Sequence, residues 1–147
     1  YQGCHGATIK PPFGWIVDGT YRGFAPATLY ARGGDLKDAG LKKEWMYLEF
    51  WDKNDSINTI PLLIEYQNNN ILTDDSNARI HVFEKESLQI REAVIKNYPT
   101  IEITGYKDFE DFILYGVLFC PDNMINRDLE KLCFVLNNAI PLKVVSK

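Results

Sequence analysis

The sequence contains one nucleophile that directly adjoins an imidazole, Cys4-His5, near its start. A histidine that takes up a thiol proton leaves a thiolate, which is the nucleophile of cysteine-dependent acyl transfer. In such enzymes the two partners are brought together by the fold, whereas side chains adjacent in sequence often point apart. Cys4 is therefore an alternative catalytic residue, and the main interpretation developed below is non-catalytic.

Two stretches near the start combine a His-Gly step with a later aromatic pair. They are Tyr1-Gln2-Gly3-Cys4-His5-Gly6-Ala7 and Tyr21-Arg22-Gly23-Phe24. At His5, Gly6 and Tyr21 they resemble the His…Tyr portion of toxin-type ADP-ribosyltransferases, although the Thr or Ser that follows the glycine in that family is absent. The resemblance implies that His5 and Tyr21 hold the nicotinamide of NAD. It also requires a strand glutamate, for which Glu65 and Glu102 are the candidates.

Metal-binding and nucleic-acid-binding functions are not expected. His5 and His81 are the only histidines, and no Cys-x-x-Cys or His-x-x-x-His spacing occurs, so no metal and no cofactor are predicted. The net charge of −4, from 16 basic and 20 acidic residues, lacks the clustered cations that a phosphate backbone requires. We therefore expect no nucleic acid among the partners.

The aromatic residues of one predicted strand are the strongest functional signal. In Trp45–Trp51 the alternation places Met46, Leu48 and Phe50 on one face and Trp45, Tyr47 and Trp51 on the other. Exposed clusters of Trp and Tyr anchor protein interfaces, so Trp45, Tyr47 and Trp51 are the predicted binding residues. The alternative is that the aromatic residues of the N-terminal arm, Phe13, Trp15 and Tyr21, cover them.

The predicted fold is α+β, a mixed β-sheet with two helices packed on it. Its centre is Phe112–Cys120, an uncharged run that is apolar at odd and even positions and is therefore buried on both faces. Two strand–helix–strand passages, residues 79–104 and 112–145, predict helices at Glu86–Asn97 and Arg127–Asn137 and allow parallel pairing. Ile60–Tyr66 is predicted to form a hairpin with Trp45–Trp51.

We expect residues 1–147 to form a single domain, with a loop-rich aromatic arm (1–44) packed on an α+β core (45–147). The arm contains eight of the ten glycines, and we expect it to form short strands at Trp15–Val17 and Thr28–Ala31 and a short helix from Asp35 to Lys43. The last helix is expected to be capped by Asn126 or Asp128. Three cysteines, Cys4, Cys120 and Cys133, allow one disulfide or three thiols, and the last two are expected to be buried apolar residues.

The function predicted from these features is a non-catalytic protein-binding module. An envelope, secretion or virion component and a toxin-neutralising protein all fit this description. The alternative is a small enzyme that uses the N-terminal arm, through His5 and Tyr21 or through Cys4. The longest uncharged run is too short to span a membrane, and the start at Tyr1 rather than Met favours an exported or processed protein.

Overall fold

The fold is α+β, as predicted, with a seven-stranded sheet between two helices. The computed structural model describes residues 6–17, 27–31, 44–54, 56–96 and 100–142. The strands are β1 (Ala7–Thr8), β2 (Trp15–Val17), β3 (Ala27–Ala31), β4 (Trp45–Asp52), β5 (Arg79–Lys85), β6 (Leu88–Val94), β7 (Ile101–Asp108), β8 (Phe112–Cys120) and β9 (Ile140–Pro141). The helices are α1 (Ile60–Asp74) and α2 (Ile125–Asn137), the latter preceded by a short 3-10 helix, Asp122–Met124.

The main sheet has the strand order β2-β3-β4-β8-β7-β6-β5, and β1 and β9 form a separate two-stranded ladder. Every strand pair among the described residues is antiparallel, so the sheet is antiparallel rather than mixed. The predicted position of β8 is confirmed, because it is the fourth of the seven strands. All but one of its residues are buried, which explains its continuous apolar sequence.

The predicted hairpin of Trp45–Trp51 with Ile60–Tyr66 is wrong, because residues 60–74 form α1. Thr59 adopts an extended backbone and its side chain accepts a hydrogen bond from the Leu62 backbone N–H, which makes it the N-cap. Pro61 lies in the first turn, where its missing N–H costs no helical hydrogen bond. The true neighbours of β4 are β3 and β8.

The predicted helix at Glu86–Asn97 is also wrong, because this segment continues the hairpin of β5 and β6. Lys85 pairs with Leu88, so the turn consists of Glu86 and Ser87, which have φ angles of 50° and 67°. Two successive residues with positive φ fit the right-handed twist of the flanking strands, as in a type I′ turn. Residues 79–104 therefore contain no helical crossover, and the parallel pairing that such a crossover would have allowed does not occur there.

Helix α2 is confirmed, but neither predicted residue caps it. The N-cap is Met124, without a side-chain hydrogen bond, and Asp128 lies inside the helix and is buried. Beyond α2, β9 pairs with β1 rather than joining the main sheet in parallel. An apolar stripe of this helix faces the sheet, since Leu129, Leu132, Cys133 and Leu136 are all buried.

A pair of glycines lets α2 lie close to the sheet. Gly105 of β7 is the register partner of Gly116 of β8. A Cβ atom at Gly105 would lie 2.6 Å from Leu136 Cδ1, and one at Gly116 would lie 2.8 Å from Leu132 Cδ1. These distances are too short for real atoms, so the two leucines occupy the space that the missing side chains leave.

The described parts of the N-terminal arm add edge strands to the sheet. β2 pairs with β3 and β3 with β4, at the two predicted short strands. The predicted helix Asp35–Lys43 lies outside the described residues. Cys120 and Cys133 are free and buried, as expected, and burial raises the pKa of each thiol to about 12. Neither described helix has the length and hydropathy needed to cross a bilayer.

Candidate functional site

The predicted alternation of β4 is confirmed. Met46 and Leu48 are fully buried in the core cluster that also contains the α2 leucines. Trp45, Tyr47 and Trp51 are half-buried on the opposite face, the one that carries α1.

Trp45 and Tyr47 belong to a cluster that the sequence alone did not define. The Trp45 ring stacks on Phe119 of β8, with centroids 4.6 Å apart, and Tyr47 lies 5.9 Å from Trp45 and 6.1 Å from Phe119. We call these three half-buried residues the aromatic cluster. Phe119 enters it because β8 pairs with β4 so that Phe119 stands opposite Trp45. Only this register, which the sequence does not give, could have identified it.

Trp51 lies apart from the aromatic cluster, beneath the first half of α1. Its indole Nε1 donates a 3.1 Å hydrogen bond to the Ile57 carbonyl, and its ring lies 5.6 Å from that of Tyr66. It packs against the second core cluster, which is built around Leu63, Ile64 and the β8 residues facing α1. The contacts of Trp51 are therefore those of a residue that holds α1 on the sheet.

Phe13 and Trp15, the two described residues of the predicted alternative, do not cover the cluster, and the arm residue nearest to it by register is Tyr30 of β3, the partner of Trp45. Trp15 is buried in the core cluster on the α2 side of the sheet, the face opposite to Trp45 and Tyr47. Phe13 is 94% exposed. Tyr21, the third residue of that alternative, lies outside the described residues.

Next to the aromatic cluster, the same face of the sheet contains a polar network centred on Arg91. This side chain is only 3% exposed. Its Nη2 donates to Thr104 Oγ1 at 2.9 Å, its Nε donates to the Tyr106 hydroxyl at 3.1 Å, and its Nη1 donates to Asn68 Oδ1 at 3.4 Å. The Tyr106 hydroxyl donates in turn to Gln67. The network thus fixes the second half of α1 to β6 and β7, since a buried guanidinium must be hydrogen-bonded.

Glu102 connects the polar network to the aromatic cluster. It is the register partner of Phe119, which is itself opposite Trp45, so the three side chains form one row across the sheet. Its carboxylate Oε2 lies 3.5 Å from Arg91 Nη2, and its side chain is 19% exposed. Burial raises the pKa of Glu102, and the charge of Arg91 opposes that increase.

Burial and nearby carboxylates also raise the pKa values of two tyrosines on this face. Burial, followed by the charges of Glu102 and Glu49, raises the pKa of Tyr47 to about 12. Tyr115 donates a 2.8 Å hydrogen bond to Glu49 Oε2, and burial together with this bond raises its pKa. Both tyrosines are therefore neutral at physiological pH and can only donate or accept hydrogen bonds there.

The residues of the enzymatic alternative, Cys4, His5 and Tyr21, lie outside the described residues. Of the two candidate glutamates, Glu65 was assigned to a strand incorrectly, because it is an exposed residue of α1. Glu102 does lie in a strand, β7. The alternative therefore stays a prediction, and a calorimetric titration with NAD tests it.

Comparison with known proteins gives a fold but no family. No protein-family model and no curated protein matches the chain. Among solved structures, the chain is similar to the solution structure of cyanobacterial PsbP (CyanoP) from Synechocystis sp. PCC 6803. The sequences are 9% identical, the match covers 94% of each chain, and the TM-score is 0.50. At this identity the similarity concerns the fold alone, and it agrees with the α+β architecture described above.

Proposed function

We propose that this chain is a non-catalytic protein-binding module and that the aromatic cluster is its contact surface. The observation that carries the proposal is the mutual packing of Trp45, Tyr47 and Phe119 on a sheet face where each ring remains partly exposed. Large rigid aromatic side chains gain much contact area on binding and lose little conformational entropy. For this reason Trp and Tyr are enriched among the residues that dominate binding free energies.

The position of the cluster supports the same proposal. α1 lies over Trp51, Tyr106 and Arg91, as their contacts with Tyr66, Gln67 and Asn68 indicate. The rings of Trp45 and Tyr47 are instead in contact with Phe119 and with each other. A partner that packs beside α1 would complete the cover of this face.

The test compares three baits in a pull-down from the native source: the wild-type chain, Trp45→Ala and a control variant. Phe13→Ala is the matched control, because Phe13 is 94% exposed and precedes β2, which β3 separates from β4. We expect a protein that the wild type and Phe13→Ala retain and that Trp45→Ala loses. An isotherm with that purified protein should show binding weakened by at least about 2 kcal/mol for Trp45→Ala, as for an interface anchor.

Thermal melts of the same variants show whether folding is intact. If Trp45→Ala is folded and binds the partner as well as Phe13→Ala does, the aromatic cluster is not the contact surface. If Trp45→Ala loses about 3–5 kcal/mol of folding stability, as for a buried large-to-small substitution, Trp45 is a core residue and the proposal is wrong.

A further inference from the structure

We infer that the partner presents a cationic side chain, Lys or Arg, to the aromatic cluster, with Glu102 as its counter-charge. This inference rests on the proposed function and specifies the chemistry of the partner. Aromatic rings attract cations to their faces through the negative charge of the π-system, most strongly at Trp. Trp45, Tyr47 and Phe119 provide three such rings within 6.1 Å of one another.

The position of Glu102 adds a negative charge to the rings. The row Trp45, Phe119 and Glu102 crosses three adjacent strands on one face, so the carboxylate adjoins the ring at the centre of that row. The charge of Glu102 also reaches Tyr47, whose pKa it raises. A cation over the rings would therefore also interact with a carboxylate.

Arg91 compensates Glu102 only in part. The ion pair between them is 3.5 Å long, whereas Arg91 makes three shorter contacts, with Thr104, Tyr106 and Asn68. Burial outweighs Arg91 in its effect on the pKa of Glu102, so the ionised carboxylate is under-stabilised. An additional cation at the exposed side of Glu102 would stabilise the ionised form.

The charges of the described residues on this face favour a cationic partner over an acidic one. Among the described strand residues whose side chains lie on the α1 side by register, Arg91 is the single cation, and it is only 3% exposed. Glu49 and Glu102 lie on the same side. α1 itself contains acidic residues but no Lys or Arg. A positively charged segment is the complement of such a surface.

The test uses the three tryptophan indole N–H resonances of the full chain, from Trp15, Trp45 and Trp51, as separate reporters. The probe is a synthetic glycine peptide with three spaced lysines, and its arginine counterpart is a second probe. The control is the same peptide with every lysine acetylated, because acetylation keeps the aliphatic part of the side chain and removes its positive charge. We expect saturable shifts of the Trp45 resonance with both cationic probes, at least a tenfold weaker response to the acetylated peptide, and little change at Trp15 and Trp51.

Glu102→Gln should weaken binding of the lysine peptide at least threefold, and a melt verifies that the variant is folded. Equal binding of the lysine and acetyl-lysine peptides, no response at Trp45, or equal shifts at all three tryptophans would overturn the inference. The comparison of the lysine and acetyl-lysine peptides uses the wild-type chain, so it tests the inference even if Glu102→Gln unfolds. If binding of the native partner requires Trp45 but is unaffected by Glu102→Gln, the inference fails and the proposed function stands. If the partner does not depend on Trp45, both fail.

Discussion

At the scale of single residues, Asp128 carries the clearest electrostatic consequence. Its side chain is 1% exposed, its Oδ2 atom has no hydrogen-bond partner among the described residues, and Arg127 Nε lies 3.4 Å from Oδ1. Burial and the neighbouring Glu44 raise its pKa from 3.8 to about 7. A protonated Asp128 can donate to Glu44, and this removes the penalty of a buried charge.

We therefore predict that Asp128 makes the protein less stable as the pH rises. Between pH 3.8 and about 7 the folded chain keeps a proton on Asp128 that the unfolded chain has released, so the contribution of Asp128 to stability is largest at low pH and is lost through that window. One proton limits the slope to about 1.4 kcal/mol per pH unit. Asp128→Asn should flatten the slope in urea melts, whereas Asp122→Asn, at an exposed carboxylate, should not. Equal slopes for Asp128→Asn and the wild type would contradict this assignment.

The second prediction at this scale concerns burial in β8. Leu118 is fully buried beneath α2, so Leu118→Ala should cost roughly 2–5 kcal/mol, because it leaves a cavity and loses transfer free energy. The matched control is Leu62→Ala in α1, where the leucine is 45% exposed and alanine is a good helix former. Urea melts should show a large loss for the first variant and almost none for the second. A change of less than about a degree in the melting temperature of Leu118→Ala would reject its placement.

At the scale of elements, the fit of α2 on the sheet depends on the glycine pair. Gly116→Ala places a Cβ atom 2.8 Å from the side chains of Leu132 and Leu48, both fully buried. We expect overpacking to cost about 1–3 kcal/mol. The cost should be smaller in a Leu132→Ala background, since that change vacates the space. A double-mutant cycle with additive costs would show that Leu132 does not contact this position.

Helix α2 and strand β8 could be predicted because their sequences contain a complete signal. The stripe of Leu129, Leu132 and Leu136 has helical spacing, and β8 is apolar throughout, as a central strand must be. Strand β4 was likewise predictable from its alternation. For these elements, local pattern and tertiary burial agree.

Two other segments could not be assigned in this way, because their apolar residues fit neither a helical nor a strand period alone. Tertiary packing determined which structure each one forms. In β6 the apolar residues Leu88, Ile90 and Val94 also have spacings that fit one helical face, and the turn before the strand has neither Gly nor Asn to mark positive φ. In α1 the apolar residues are concentrated in Ile60–Tyr66 and a polar run, residues 67–70, follows them, so no helical stripe is present and the decisive signals were Thr59 and Pro61 at its start. Those signals were available in the sequence.

The site was predictable only to the extent that it depends on a single strand. The sequence identified Trp45, Tyr47 and Trp51 on one face of β4, but Trp51 contacts α1 and Phe119 joins the other two. Glu102 and Arg91, eleven residues apart in sequence, meet across the neighbouring strands β7 and β6. Their proximity follows from sheet register, which depends on pairing between distant segments.

At the scale of the whole molecule, the two faces of the sheet are covered unequally. α2 buries five apolar residues and Asp128, and the core cluster on its side extends from β2 to β6. α1 buries only Leu63 and Ile64, while Leu62, Tyr66 and Leu72 are exposed. α1 is held in addition by the hydrogen bonds of Gln67 and Asn68 to the Arg91 network.

Because local opening costs less where fewer apolar contacts are broken, we predict that α1 opens independently of the sheet. Native-state hydrogen exchange should give the α1 amides a lower opening free energy than those of β8 and α2, which should exchange only by global unfolding. Leu118→Ala should lower the second value and leave the first nearly unchanged, whereas Leu63→Ala should act mainly on α1. Coincident exchange free energies for α1 and β8 in the wild type would instead mean that both faces unfold as one unit. The polar network would then be as stabilising as the apolar core on the other side.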